Sequence, residues 1–292
     1  MAAVKDVFTP KTVEFVELLS DITDRLSDYV PRRYQFMPRR DFKGMAKVYG
    51  KLISERIPER IAGDAVVSAS MKVYWTEILR FVHVGAITGL LRQRRWTDAV
   101  VVSLEDENYL SFAANLRGLL ESSADMYYSL RGVKTLEQAW PVIAGAVSGT
   151  ATVPFACEEL EDSLKHFVYA MKAKAEETYQ PPPGPPQPKT GEYIRAIQGG
   201  QRGPIHDLYS ELCNIVHPAT PSLVPFLASS GEHVLEVRLF DELRFICSLC
   251  ETHGQAIEQL LGRSLNICRI SLAMLNLLPI EDLYTPLENQ LP

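Results

Sequence analysis

Apolar residues in this chain return at every third or fourth position through nearly its whole length, and only one short run alternates. Such spacing commits a chain to helices that each bury one stripe. In the first series Val13, Val16, Leu19, Ile22, Leu26 and Tyr29 share a face, with Thr9 and Pro10 placed as N-cap and first helical residue. The same spacing predicts a short helix over 42–57 and a long one from Asp64 through Trp75, Leu79, Val82 and Leu90 toward Trp96, after which Thr97 and Asp98 cap a further segment. Helices follow over 104–130, 134–147 with Pro141 as a kink point, 155–178, 204–217, 241–262 and 264–278. The alternating run is "HVLEVRLF" (233–240), enough for a hairpin or an edge strand at most. No fixed repeat period is present, so the fold class is all-α, a multi-helix bundle rather than a solenoid.

One stretch interrupts the helical pattern outright. "PPPGPPQP" (181–188) has almost no amide donors to give and stays extended, making the segment 180–190 a Pro-rich crossover loop. The chain then divides into an N-terminal helical segment, 1–60, and a bundle over 61–292, or runs on as one continuous domain. Its 292 residues are enough for a substantial core. A formal charge of -6 provides no general basic field for nucleic acid, so such binding would use a local patch.

Five scattered cysteines imply reduced thiols. Cys247, Cys250 and His253 in "CSLCETH" drift around a helix and have no second ligand pair nearby, so the cysteines read as core residues and no metal is expected. No secretory leader is visible, and the most apolar stretches (81–91 and 271–280) are too short to span a bilayer, which makes a soluble cytoplasmic protein the expectation. "QGGQRGP" (198–204) lacks the lysine and strand of a phosphate-binding loop, and no "GxSxG", "HExxH" or calcium-binding loop occurs. No cofactor is expected, and conventional hydrolase, metalloprotease and nucleotide triphosphatase chemistries drop out.

Two helical stretches carry polar residues in places where chemistry is possible. In "DLYSELCNIVHPATPSL" (207–223) Leu208, Leu212 and Ile215 form a core face, while Ser210, Asn214 and His217 lie on the opposite side. Pro218 disfavours helical geometry at the residue before it, so the helix ends at His217. A histidine there either satisfies last-turn carbonyls and suits the helix dipole, or uses the same field as a titratable group for proton transfer. In "NYLSFAANLRGLLESSADMYYSLRG" (108–132) Leu116, Leu120 and Tyr127 form the apolar centre, flanked by Ala113 and Ala124. Arg117 and Glu121 stand one turn apart on its border, with Tyr128 further along the same line. An arginine–glutamate pair in that order adds only a few tenths of a kcal/mol to a helix. A bridge between helices, or a polar cluster lining a cleft, accounts better for two charges at a core edge.

"LRGLLESSADMYYSL" followed at a distance by "YSELCNIVHPATPS" resembles a group of bacterial all-helical proteins related to the HEPN superfamily and to abortive-infection proteins. The resemblance covers about 25 and 15 residues of the 292. It implies a helical bundle that dimerises through helices beside the motif, and, in active members, a metal-independent endoribonuclease in toxin–antitoxin or antiphage systems. The family motif sets an arginine four to six residues before a histidine at a helix end; the histidine serves acid–base cleavage through the ribose 2′-hydroxyl and the arginine stabilises phosphate charge. His217 matches the histidine. Leu212 stands where the arginine belongs, and 213–216 hold no cation. Arg202, before His206, has no helix preceding it. On this reading Arg117 is brought from the other helix to supply the charge, Glu121 orients it, and Asn214 completes the polar face with His217.

The basic patches fit the same partner. "PRRYQFMPRR" sets Arg32, Arg33, Arg39 and Arg40 around Tyr34 and Phe36, the mixture of cations and stacking rings that single-stranded RNA uses. "RQRRW" adds Arg92, Arg94, Arg95 and Trp96 at the expected end of the long helix; arginines of either patch also serve to anchor acidic surfaces of their own protein. Three functions follow: a HEPN-like effector that binds or cleaves RNA, with a cognate protein partner; a non-catalytic helical interaction protein in which His217 and Asn214 are caps; and a binder of a small nucleotide between helices.

Overall fold

The computed structural model describes residues 2–29, 59–169, 189–217, 220–232, 234–238 and 241–276. The arginine- and tyrosine-bearing stretch 31–40, the short helix expected over 42–57 and the Pro-rich run lie outside them. Ten α-helices and one two-stranded antiparallel hairpin make up the described residues, an all-α architecture. In chain order the helices are α1 (Ala2–Val7), α2 (Pro10–Tyr29), α3 (Glu59–Glu105), α4 (Tyr109–Leu130), α5 (Leu136–Val147), α6 (Glu158–Tyr169), α7 (Thr190–Gln198), α8 (Pro204–Val216), α9 (Thr220–Leu223) and α10 (Glu242–Asn276). The hairpin, β1 (Leu227–Gly231) and β2 (Val234–Val237), comes between α9 and α10. Among the described residues no helix is long and apolar enough to cross a membrane.

The chain groups into two compact units, each drawn from distant segments. The first takes the described residues of 1–28, 88–128 and 188–266; the second takes those of 29–87, 129–187 and 267–292.

In the first unit the stripes read from sequence meet in one core. Leu116, Leu120, Ala113 and Ala124 of α4, Ile194 and Ile197 of α7, Leu208, Leu212 and Ile215 of α8, and Ile246, Ile257 and Leu260 of α10 are all buried in it. Thr9 caps α2 as its position predicted: its hydroxyl accepts the Thr12 N–H at 3.2 Å and is hydrogen-bonded to Glu258 of α10. Gly118 is required by a close approach. A Cβ there would lie 2.5 Å from the Trp96 ring.

In the second unit a girdle of hydrogen bonds ties α3 to the segment before α6. The Trp75 indole N–H donates to the Phe155 carbonyl at 3.0 Å, and the two rings stack with centroids 5.5 Å apart. The Tyr74 hydroxyl donates to Glu161 at 3.2 Å and accepts the Cys157 N–H at 3.3 Å. Arg80 and Glu77, both buried, pair at 2.9 Å.

Two expectations are corrected. Thr97 and Asp98 do not open a new segment, because α3 runs through them to Glu105: Asp98 reaches back one turn to Arg94 at 2.7 Å instead of capping free amides, and Thr97 is buried. "RQRRW" accordingly lies inside α3 rather than at its end. The separate helices over 241–262 and 264–278 are one, α10, in which Ser264 turns its hydroxyl to the Leu260 carbonyl at 2.8 Å and so stays within the helix. The helix over 134–147 passes through Pro141 as α5. Three helices that the apolar spacing did not announce, α1, α7 and the short α9, complete the set.

Adding a methyl group at Gly118 tests the close approach at Trp96. Gly118→Ala is expected to lower the unfolding free energy by about 1–3 kcal/mol through overpacking. Urea unfolding measures it, and the loss should shrink in the Gly118→Ala, Trp96→Ala double variant relative to Trp96→Ala alone.

Candidate functional site

The rotation of α8 is fixed before any of its polar residues come into play. At its start Gln198 accepts the Ile205 N–H at 2.8 Å, and Arg263 of α10 donates to the Ile197 carbonyl. Gly199, with φ of 99°, closes α7 in the left-handed conformation that glycine adopts freely, and the Gly200 N–H caps the Arg195 carbonyl at 2.7 Å. Leu208, Leu212 and Ile215 then bury their stripe.

On one border of that stripe, Tyr209 and Cys213 face α4. The Arg117 guanidinium lies over the Tyr209 ring, 5.9 Å from its centroid, and its Nε donates to Glu121 at 3.0 Å. The pair expected from the sequence to bridge two helices is thus an ion pair within α4 whose cation also covers a ring of α8. Arg117 is held above its ordinary pKa: partial burial works against its charge, but Glu121 more than offsets that. Burial, followed by a hydrogen bond to Cys213, pushes the Tyr209 phenol up to about 12. Further along α4, Tyr128 meets Tyr193 of α7 edge-on, with centroids 5.1 Å apart.

The histidine stands at the end of the same line. At about 100° per residue, each step of four turns the line from Tyr209 through Cys213 to His217 outward by about 40°. His217 is the C-cap of α8, extended at φ −73° and ψ 145°, and its N–H donates to the Cys213 carbonyl at 3.0 Å. This is the geometry a following proline imposes. His217 and Asn214 are both exposed. Tyr209 and Cys213 are about 12 and 6 Å below His217 along the helix axis. Arg117 and Glu121 are therefore brought together with each other and with α8, while no hydrogen bond or ion pair joins the His217 ring to either. Nor does that ring bond the carbonyls of its own last turn.

The other candidates separate clearly. Arg202 pairs with Asp207 at 3.1 Å at the opposite end of α8, where that hydrogen bond draws the Asp207 carboxyl below its ordinary range. That is roughly 20 Å of helix from His217. In "RQRRW", Arg92 pairs with Asp125 at 3.0 Å, Arg94 with Asp98 at 2.7 Å and Asp24 at 3.7 Å, and Arg95 with Asp98 at 3.7 Å. These arginines are anchored on the protein's own carboxylates. His253 pairs with Glu211 of α8 at 2.7 Å, and Cys250 is buried, its thiol pushed up to about 12 by that burial. Among the described residues no group of three or more metal-ligating side chains could hold a metal ion. Arg32, Arg33, Tyr34, Arg39 and Arg40 lie outside the described residues.

Sequence reasoning passed over Tyr209 and Cys213, although their four-residue spacing to His217 was visible. The Glu211–His253 contact joins two helices and left no local signal.

The raised Tyr209 pKa has a measurable consequence. The unfolded chain ionises this phenol near pH 10 and the folded chain does so at about 12, so the stability held below pH 10 is lost as pH rises between the two. Urea unfolding at about pH 9 and about pH 11.5 should show a smaller loss in Tyr209→Phe than in the parent. No protein-family model matches this chain, and neither a curated protein nor a solved structure matches it.

Proposed function

We propose that the chain is a HEPN-like helical effector that binds RNA and cleaves it without a metal, in a bacterial defence or toxin–antitoxin setting in the cytoplasm. One observation carries the reading: the Arg117 guanidinium lies over Tyr209 on the helix whose C-cap is the exposed His217. This supports the reading because a cation from α4 and an exposed imidazole meet the same helix, and the local sequence before His217 supplies no cation of its own.

In this reading the His217 imidazole takes the proton of a ribose 2′-hydroxyl as its oxygen attacks the neighbouring phosphorus. The bond from phosphorus to the 5′ oxygen breaks, that oxygen takes a proton from water, and a 2′,3′-cyclic phosphate remains. Arg117 stabilises the charge that builds on the phosphoryl oxygens, Glu121 orients the guanidinium, and Asn214 hydrogen-bonds the strand beside His217. A cognate protein partner would restrain the activity, as in other toxin systems.

A second reading has its own observation. Arg117 already engages Glu121 and Tyr209, and His217 contacts neither charge, which favours a non-catalytic helical interaction protein whose site is degenerate.

Incubating the full chain with single-stranded RNA in EDTA separates the two. The effector reading expects cleavage, a loss of about 10²–10⁴-fold in His217→Ala, and a loss of about 10²–10³-fold in Arg117→Ala, with the urea unfolding free energy of His217→Ala unchanged. RNA left intact by the parent chain supports the interaction protein and overturns the effector.

A further inference from the structure

We propose that the outer edge of β2 is the seat of a two-fold contact with a second copy of this chain. Two strands alone make a marginal sheet in water, and β2 is exposed along its whole length: Val234 is 51 %, Leu235 69 % and Val237 72 % exposed. Leu223 and Val224, shortly before the hairpin, are also exposed. Among the described residues only β1 pairs with β2.

The ladder determines which groups the outer edge presents. β1 and β2 pair Leu227 with Val237, Ala228 with Glu236 and Ser229 with Leu235, and the Arg238 N–H donates to the Phe226 carbonyl at 2.8 Å. Hydrogen-bonded and non-bonded positions alternate along an antiparallel pair. Arg238 and Glu236 therefore turn their backbone groups toward β1, while Leu235 and Val237 turn theirs outward. Antiparallel pairing of two copies must set outward residues opposite outward residues, so the two-fold axis passes through a residue and not between two.

Charge selects among the possible axes. An axis at Glu236 opposes two glutamates, and one at Arg238 opposes two arginines. An axis at Leu235 sets Glu236 against Val234. An axis at Val237 instead places Glu236 opposite Arg238 of the second copy, twice over, in a non-hydrogen-bonded position where side chains are closest. The two Val237 residues exchange N–H···O bonds on the axis, and the aliphatic side chains of Leu235 and Val237 share one face. Arg238 is free to serve this contact because its present partner Asp241, at 3.5 Å, also holds Arg244 at 3.1 Å. The contact is independent of the RNA reading and of the helices beside His217.

Sedimentation of the full chain at tens of micromolar tests it. The parent is expected at twice the chain mass. Glu236→Arg, which replaces both attractive pairs by repulsive ones, and Val237→Pro, which deletes the outward N–H but none that β1 uses, should each weaken the dimer roughly tenfold or more. Arg238→Glu alone should do the same, and Glu236→Arg combined with Arg238→Glu should restore pairing. A monomeric parent, a dimer indifferent to these changes, or a double reversal that fails to restore what the single reversals lose overturns the proposal.

Discussion

Burial of Leu208, Leu212 and Ile215 sets the rotation of α8, and the candidate site follows from that rotation. With these three side chains in the core, Tyr209 and Cys213 can only lie on one border, Glu211 on the other, and His217 outside. Truncating a buried leucine of this kind costs about 2–5 kcal/mol. No polar contact in the site approaches that, so the apolar stripe positions the polar residues and not the reverse. The same logic holds for α4, where Leu116 and Leu120 commit Arg117 and Glu121 to the edge nearest α8.

Much of this was legible in the amino-acid order, because it depends on local rules. Thr9 and Pro10 announced the start of α2, and His217 before Pro218 announced the end of α8; each is a backbone requirement that neighbouring residues impose on their own. The errors occurred where a local signal had a second use. Thr97 and Asp98 have the chemistry of a cap, but Arg94 four residues earlier gives Asp98 a partner inside the helix, and nothing in the order of residues says which use prevails. Ser264 after Gly262 looks like a break, yet a serine that bonds the carbonyl four residues back costs a helix little. The partner of β2 was illegible for another reason: "LASSG" has neither the alternation nor the branched residues of a strand, and it pairs because the turn returns it alongside β2.

Within the site, the face of each helix could be read, but not which ring would receive the Arg117 charge. That depends on the relative height of α4 and α8 along their axes. Helix wheels are blind to such information because they carry rotation and no axial offset.

The Arg117–Glu121 pair is the partly exposed ion pair of this site. Its members are 26 % and 36 % exposed, and at that exposure an ion pair contributes less than about 1 kcal/mol. Glu121 engages the Nε of Arg117, and the guanidinium also covers the Tyr209 ring. Arg80–Glu77 is the contrast, since both of its members are buried. The two arginine–glutamate couples share a chemistry and differ in burial, and burial is what decides how far water screens each of them.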